Sequence, residues 1–183
     1  MIVSLVGLPG SGKSSVARQL GRSLGWAVVD TDHAIESRIG MPIRDFFSLH
    51  GEPAFRDLET EVLAHCLQPT EPTVLATGGG IVLRDVNRDA LRARSKVFYL
   101  RTSVEELVRR LRHDTSRPLL QGVDPRQKLH ELYAQRDPLY RKAAHYVVEA
   151  HRPSVMGMAH WIQMQLELGG HLNGQGAAPT LSA

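Results

Sequence analysis

Short apolar runs punctuate the chain: residues 2–6 (Ile-Val-Ser-Leu-Val), 27–30 (Ala-Val-Val-Asp), 73–76, 96–100 (Lys-Val-Phe-Tyr-Leu) and 145–149 (His-Tyr-Val-Val-Glu). Near-continuous apolarity, in place of strict alternation, is the pattern of strands covered on both faces. The intervening segments have helical spacing. Residues 13–24 show it through Val16, Leu20 and Leu24. Residues 32–68 read as helical, with breaks near Gly40-Met41-Pro42 and near Gly51. Residues 103–112 and 126–143 are also helical, the latter despite Pro138, and Pro153 opens a last helix to about residue 168. Residues 113–124, with Asp114, Pro118 and Gly122, read as a loop.

Strands that alternate with helices predict an α/β fold. The expected architecture is three-layer α/β/α, a five-stranded parallel sheet with right-handed crossovers. A chain of 183 residues holds one sizeable core. One domain over 1–168 is therefore expected. Residues 169–183 are small and polar and read as a disordered tail. No internal repeat is visible.

Composition changes this picture little. The net charge is +3, from 22 Lys plus Arg against 19 Asp plus Glu, with no run of like charge. A nucleic-acid interface is not implied. Lys13, Lys96, Lys128 and Lys142 are the only lysines. Arginine suits bidentate capture of phosphate and carboxylate, but a GC-rich genome accounts for most of these arginines. Cys66 is the single cysteine, which fits a reducing cytosol and a small buried role. There is no basic, cleavable N-terminal segment and no apolar run near the roughly 18 residues of a membrane span. A cytoplasmic monomer is expected. The nine histidines show no HExxH-type spacing, so no histidine-bound metal is expected.

The chemistry begins directly after the first strand. Gly7-Leu8-Pro9-Gly10-Ser11-Gly12-Lys13-Ser14 fits GxxxxGK[ST] between a strand and a helix, the context this phosphate-binding P-loop requires. Its backbone N–H groups and the helix N-terminus suit phosphate oxygens. Lys13 can reach the β- and γ-phosphates, and Ser14 can hold Mg²⁺. Asp30-Thr31-Asp32 stands at the carboxyl end of the second strand, the edge where open α/β sheets bind ligands. One acid can hold a metal-bound water and the other can accept a proton. Equally, Asp32 can be no more than the cap of the next helix. Thr77-Gly78-Gly79-Gly80 after the third strand offers bare backbone to a ligand, where a tight turn needs at most one or two glycines. Arg56 and Arg141, each taken alone, read as solvated surface arginines.

The P-loop, Asp30-Thr31-Asp32, the segment Gly51-Glu52-Pro53-Ala54-Phe55-Arg56-Asp57-Leu58-Glu59, the triple glycine, Arg117-Pro118-Leu119-Leu120 and Pro138-Leu139-Tyr140-Arg141 together resemble the shikimate kinase family in order and approximate spacing. The resemblance covers about residues 2–168. It implies ATP and shikimate as substrates, Mg²⁺ as cofactor, and phosphorylation of a shikimate hydroxyl in aromatic amino-acid biosynthesis. It implies that Asp32 binds the acceptor hydroxyls and acts as base, and that Ser14, with Asp30 through water, holds the metal. It implies that Arg56 and Arg141 clamp the acceptor carboxylate beside Gly78, Gly79 and Gly80, within walls made by Phe47 and Phe55. Glu59 would orient Arg56, although Asp57 is a competing neighbour. Gly10, Ser11, Gly12, Lys13, Ser14 and Ser15 would hold the ATP phosphates. Arg110 and Pro153 would sandwich adenine, and Arg117 would descend with a lid over about 112–124 to join Lys13 in catalysis. Leu8, Ser15 and Ala54 stand where the family varies. The alternatives are a P-loop kinase for another hydroxy acid such as gluconate, and a catalytically silent binding protein. The silent protein should lack Lys13, Asp32 or a clamp arginine.

Overall fold

The computed structural model describes residues 1–111, 124–149 and 154–172. Five strands, β1 (Ile2–Val6), β2 (Ala27–Asp30), β3 (Thr73–Ala76), β4 (Lys96–Arg101) and β5 (Tyr146–Glu149), coincide with the five apolar runs. They form one parallel sheet in the order β2-β3-β1-β4-β5. The helices are α1 (Lys13–Leu24), α2 (Thr31–Ile39), α3 (Ile43–Cys66), α4 (Asp85–Arg94), α5 (Val104–Leu111), α6 (Pro125–Ala143) and α7 (Val155–Leu168). The expected lid, Arg117, Pro153 and the tail from residue 173 lie outside the described residues.

Both faces of the sheet are buried, which is why its strands are apolar throughout. Val3 and Leu5 of β1, Val74 and Ala76 of β3, and Phe98 and Leu100 of β4 pack on one face against Val16, Ala17 and Leu20 of α1 and Met158, Ala159 and Ile162 of α7. Their neighbours Ile2, Val6, Leu75, Val97 and Tyr99 pack on the other face with Leu91 of α4, Leu107 of α5, and Leu129, Leu132 and Tyr140 of α6. Burying each such side chain contributes about 1.5–3 kcal/mol. Two layers of helix therefore hold the sheet as the sequence pattern implies. Residues 169–172 close the end of α7, where His171 N–H donates to Leu166 O at 2.8 Å and Leu172 packs on the first of these faces.

Two local features were only partly visible in the pattern. The break at Gly51 is a kink inside α3: φ is 79° there, a conformation that side chains other than glycine resist. The segment 81–94, which showed no clear signal, is a short 3₁₀ turn (Ile81–Leu83) followed by α4. Helix α4 has a strongly polar outer face, and Leu91 is its one fully buried apolar side chain.

His145 joins α6 to the sheet in an unusual way. Its Nδ1 accepts the Val97 N–H at 3.0 Å while its backbone N–H donates to Val97 O at 2.8 Å. Only an unprotonated Nδ1 can accept. Burial depresses the pKa of this imidazole from 6.5, and Arg92, Lys96 and His171 depress it further. The folded state thus binds this proton less readily than the unfolded chain. Its contribution to stability is complete above the unfolded value of 6.5 and is lost as pH falls below it towards the lower folded pKa. We predict that wild type loses more melting temperature than His145→Gln between about pH 7.5 and pH 5.5. Parallel losses would show that His145 does not carry the effect.

Candidate active site

The P-loop wraps the N-terminus of α1. Gly12 precedes the helix with φ 90°, a left-handed conformation that glycine tolerates best. Lys13 is buried to 9% exposure and reaches back over the loop, donating to Gly7 O at 2.8 Å and Leu8 O at 3.0 Å. Ser11 is fully buried, its hydroxyl 3.5 Å from the Lys13 ammonium. Gly10 O accepts from Arg110 Nη1 at 3.1 Å, and Glu106 holds Arg110 Nε at 2.7 Å. Arg110 therefore lies against the loop. Ser15 sits on α1 beside Arg18, which donates to its hydroxyl at 3.3 Å.

The acids at the end of β2 have separate roles. The Ser14 hydroxyl donates to Asp30 Oδ2 at 2.6 Å, and Asp30 Oδ1 accepts the Asp32 N–H at 3.0 Å. Asp30 is therefore the cap of α2. Asp32, which could equally have been a cap from its position in the sequence, instead lies in the first turn of the helix and faces a cavity. Ser14 and Asp30 place two hard oxygen donors side by side next to the phosphate cradle, a donor set that fits Mg²⁺.

The cavity occupies about 450 Å³. Asp32 of α2, Phe47, Phe55, Arg56 and Glu59 of α3, and Gly78, Gly79 and Gly80 all line it, and Pro9 connects it to the P-loop. Phe47 and Phe55 lie ring against ring at 4.7 Å. Arg56 donates to Glu59 Oε2 at 2.6 Å and to Glu52 Oε1 at 3.3 Å. Asp57 does not compete, because it pairs with Arg84 at 2.7 Å. Burial raises the pKa of Glu59, Arg56 opposes the shift, Asp32 adds to it, and Arg136 opposes it again. Glu59, Arg56 and Arg136 are thus buried charges on one wall, and the exposed Asp32 adds its field from the helix beside them.

Arg141 departs from its expected place. Its side chain is 44% exposed and absent from the cavity wall. It donates to Asp137 Oδ2 at 2.9 Å and lies 3.9 Å from Glu149. Burial raises the Asp137 carboxyl pKa, but Arg141, Tyr99 and Arg101 outweigh it and hold it below its usual range. The arginine that α6 places on the cavity wall is Arg136, 5% exposed, and its buried Nε has no hydrogen-bond partner among the described residues. Five positions on a helix turn a side chain by about 140°, so Arg136 and Arg141 of α6 cannot share a face. One signal was available in the sequence. Arg136 falls on the stripe Leu129, Leu132, Tyr140 and Ala143, the buried face of α6, where an arginine needs an anion.

The triple glycine is explained by space, since none of the three has positive φ. A Cβ on Gly80 would lie 2.5 Å from Arg56 Nη2 and 2.6 Å from Cζ; on Gly79 it would lie 2.9 Å from Pro9; on Gly78, 2.5 Å from Asp32 Oδ1. Arg56 cannot step aside, because Glu59 and Glu52 hold it. We predict that Gly80→Ala leaves nucleotide affinity within about twofold but raises the acceptor KM by about tenfold or more, the scale of a disrupted charge-assisted contact. An unchanged acceptor KM would mean that Arg56 does not contact the acceptor.

The chain is most extensively similar to proteins of one family among those compared. The shikimate kinase family model matches residues 9–166. A shikimate kinase of Paracidovorax citrulli is 53% identical over 170 residues, 92% of this chain and 93% of its own. A shikimate kinase from Acinetobacter baumannii, solved in complex with shikimate, superposes with a TM-score of 0.87 at 42% identity, covering 92% of this chain and 93% of that one. A gluconokinase from Sinorhizobium meliloti reaches only 0.53 at 18% identity over 94% of this chain and 97% of its own, a likeness of fold alone. The P-loop, the acids after β2 and the glycine-floored arginine cavity thus sit in a chain that belongs to the shikimate kinase family.

Proposed function

We propose that the protein transfers the γ-phosphoryl group of ATP to a hydroxyl of shikimate, giving shikimate 3-phosphate. The observation that carries this reading is the cavity itself. Arg56 and Arg136 enter it from α3 and α6, Asp32 stands on the same wall, and Pro9 of the P-loop borders it. Two arginines suit one carboxylate, an aspartate suits hydroxyls, and the neighbouring cradle suits the donor phosphates. Arg136 takes the clamp role that the sequence resemblance gave to Arg141.

The residues act mainly by positioning and charge. Arg56 and Arg136 hold the acceptor carboxylate, while Phe47 and Phe55 wall the ring. Asp32 orients the attacking hydroxyl and accepts its proton as the new O–P bond forms and the bond from the γ-phosphorus to the β–γ bridging oxygen breaks, with ADP as the leaving group. Lys13, on leaving the carbonyls of Gly7 and Leu8, bridges the β- and γ-phosphates. Gly10, Ser11, Gly12 and Ser15 support those phosphates, and Arg110 lies at the nucleotide side of the loop. Arg117 and Pro153, outside the described residues, are assigned to the lid and to adenine on the family resemblance. Ser14, with Asp30 through water, would hold Mg²⁺, which neutralises phosphate charge when bound. Cradle and cavity both come from this chain, so the proposed reaction needs no residue of a second copy. The lone Cys66 and the use of ATP support a cytoplasmic location, and among the described residues no helix is long and apolar enough to cross a membrane.

A coupled ATPase assay with shikimate, quinate and gluconate supplied separately tests the substrate, and shikimate alone should give rapid turnover. Asp32→Asn tests the base. Because Asp30 is the cap of α2, the Asn variant should fold normally, with kcat lower by about 10²–10⁴-fold and ATP affinity little changed. A kcat within about threefold of wild type, roughly 0.65 kcal/mol in the barrier, would end the case for Asp32.

A further inference from the structure

Neither hydroxyl that holds the triple-glycine loop has a part in the chemistry described above. The Tyr140 hydroxyl donates to Gly79 O at 2.6 Å, and the Thr31 hydroxyl accepts the Gly78 N–H at 2.9 Å. Tyr140 is 0% exposed and Thr31 1%, so water does not compete for either bond. Burial raises the Tyr140 pKa, keeping the phenol protonated and able to donate. The ring stacks on Tyr99 with centroids 4.9 Å apart. The Tyr99 hydroxyl in turn donates to Asp137 Oδ1 at 2.8 Å.

These bonds fix more than a loop position. Every peptide here is trans, so directing the Gly79 carbonyl at Tyr140 also sets the plane of the Gly79–Gly80 peptide. The Thr31 bond likewise sets the plane before Gly78. The Cα of Gly78 belongs to the first plane and those of Gly79 and Gly80 to the second; all three residues line the cavity, and Arg56 and Asp32 abut Gly80 and Gly78 at distances that leave no room for a methyl group. Glycine backbone has the widest conformational freedom of any, so a glycine floor keeps its shape only if something outside it holds the peptides. Thr31 belongs to the helix that carries Asp32, and Tyr140 to the helix that carries Arg136. Each hydroxyl therefore ties the floor to the element that presents an acceptor-binding side chain.

We infer that the hydroxyls of Tyr140 and Thr31 are positioning groups for the acceptor, pinning the Gly78–Gly80 floor to the helices that bear Arg136 and Asp32. The inference rests on the shikimate kinase reading. It also gives the hydroxyl of the middle residue of Asp30-Thr31-Asp32 a role.

Tyr140→Phe keeps the stacked ring and removes the hydroxyl, which also interacts with Arg136; Thr31→Val keeps the shape and removes a hydroxyl on a different helix from Arg136. Each should raise the shikimate KM by about fivefold, the scale of one neutral hydrogen bond. ATP affinity in the free enzyme should stay within about twofold of wild type, and Thr31→Ser should restore the wild-type KM. Melting curves measured alongside report on packing. A shikimate KM within about twofold of wild type in both variants, with only a lowered melting temperature, would make the hydroxyls ordinary core groups and overturn the inference. Equal weakening of ATP and shikimate would overturn it too, as general loosening. Wild type run on shikimate in the same assay separates the two claims: no wild-type turnover would defeat the functional reading, whereas turnover with unchanged variants would defeat only this inference.

Discussion

Arg56 and Glu59 are bridged at 2.6 Å with 8% and 2% of their surfaces exposed, and much of the acceptor cavity follows from that pair. A buried ion pair is a poor source of stability. Removing either partner leaves an uncompensated charge and costs about 3–5 kcal/mol, whereas apolar replacements of the same volume are often neutral. What the pair supplies is a guanidinium held at one place with few ways to move. Its surroundings are arranged to that end. Gly80 gives it space, Glu52 takes a second edge, and Arg84 draws Asp57 away. Arg136 then brings a second buried guanidinium to the same cavity from α6, with its Nε left unmatched among the described residues. An anionic ligand is the simplest group to balance it.

The two halves of the site meet because of sheet order. Strand β1, which feeds the P-loop, lies beside β3, which feeds the triple glycine, and β2, which feeds Asp30 and Asp32, lies beyond β3. All are parallel, so the three loops emerge at one edge. Ser14 and Asp30 join the cradle to the end of β2 through a single 2.6 Å hydrogen bond. The phosphate cradle and the arginine cavity are therefore parts of one rim.

How much of this could be read beforehand depended on how local each signal was. The strands, the P-loop and the triple glycine are contiguous, so the sequence displays them directly. Gly51 could be recognised as a break because glycine marks a backbone that other residues avoid. The roles of Asp30 and Asp32 could not be separated, since either can cap a helix from its place in the chain. The choice depends on where Ser14 lies in three dimensions. Arg141 and Arg136 were harder still. A motif read as a string gives them equal standing, but helical rotation sends Arg141 to the exposed network of Asp137 and Glu149, and Arg136 into the cavity. The periodicity of α6 held that information, and counting its buried face would have found it. Helix α4 escaped notice because Leu91 alone anchors it deeply.

The central claim is that Arg56 and Arg136 together read a carboxylate on the acceptor. Binding of shikimate and of its methyl ester, measured calorimetrically on wild type, Arg136→Ala and Arg141→Ala, tests it without reference to turnover. Wild type and Arg141→Ala should both prefer the acid by a wide margin, about 10-fold or more for a charge-assisted pair. Arg136→Ala should bind acid and ester nearly alike. If Arg136→Ala kept the full preference while Arg141→Ala lost it, the clamp would lie where the exposed arginine is, and this account of the cavity would be wrong.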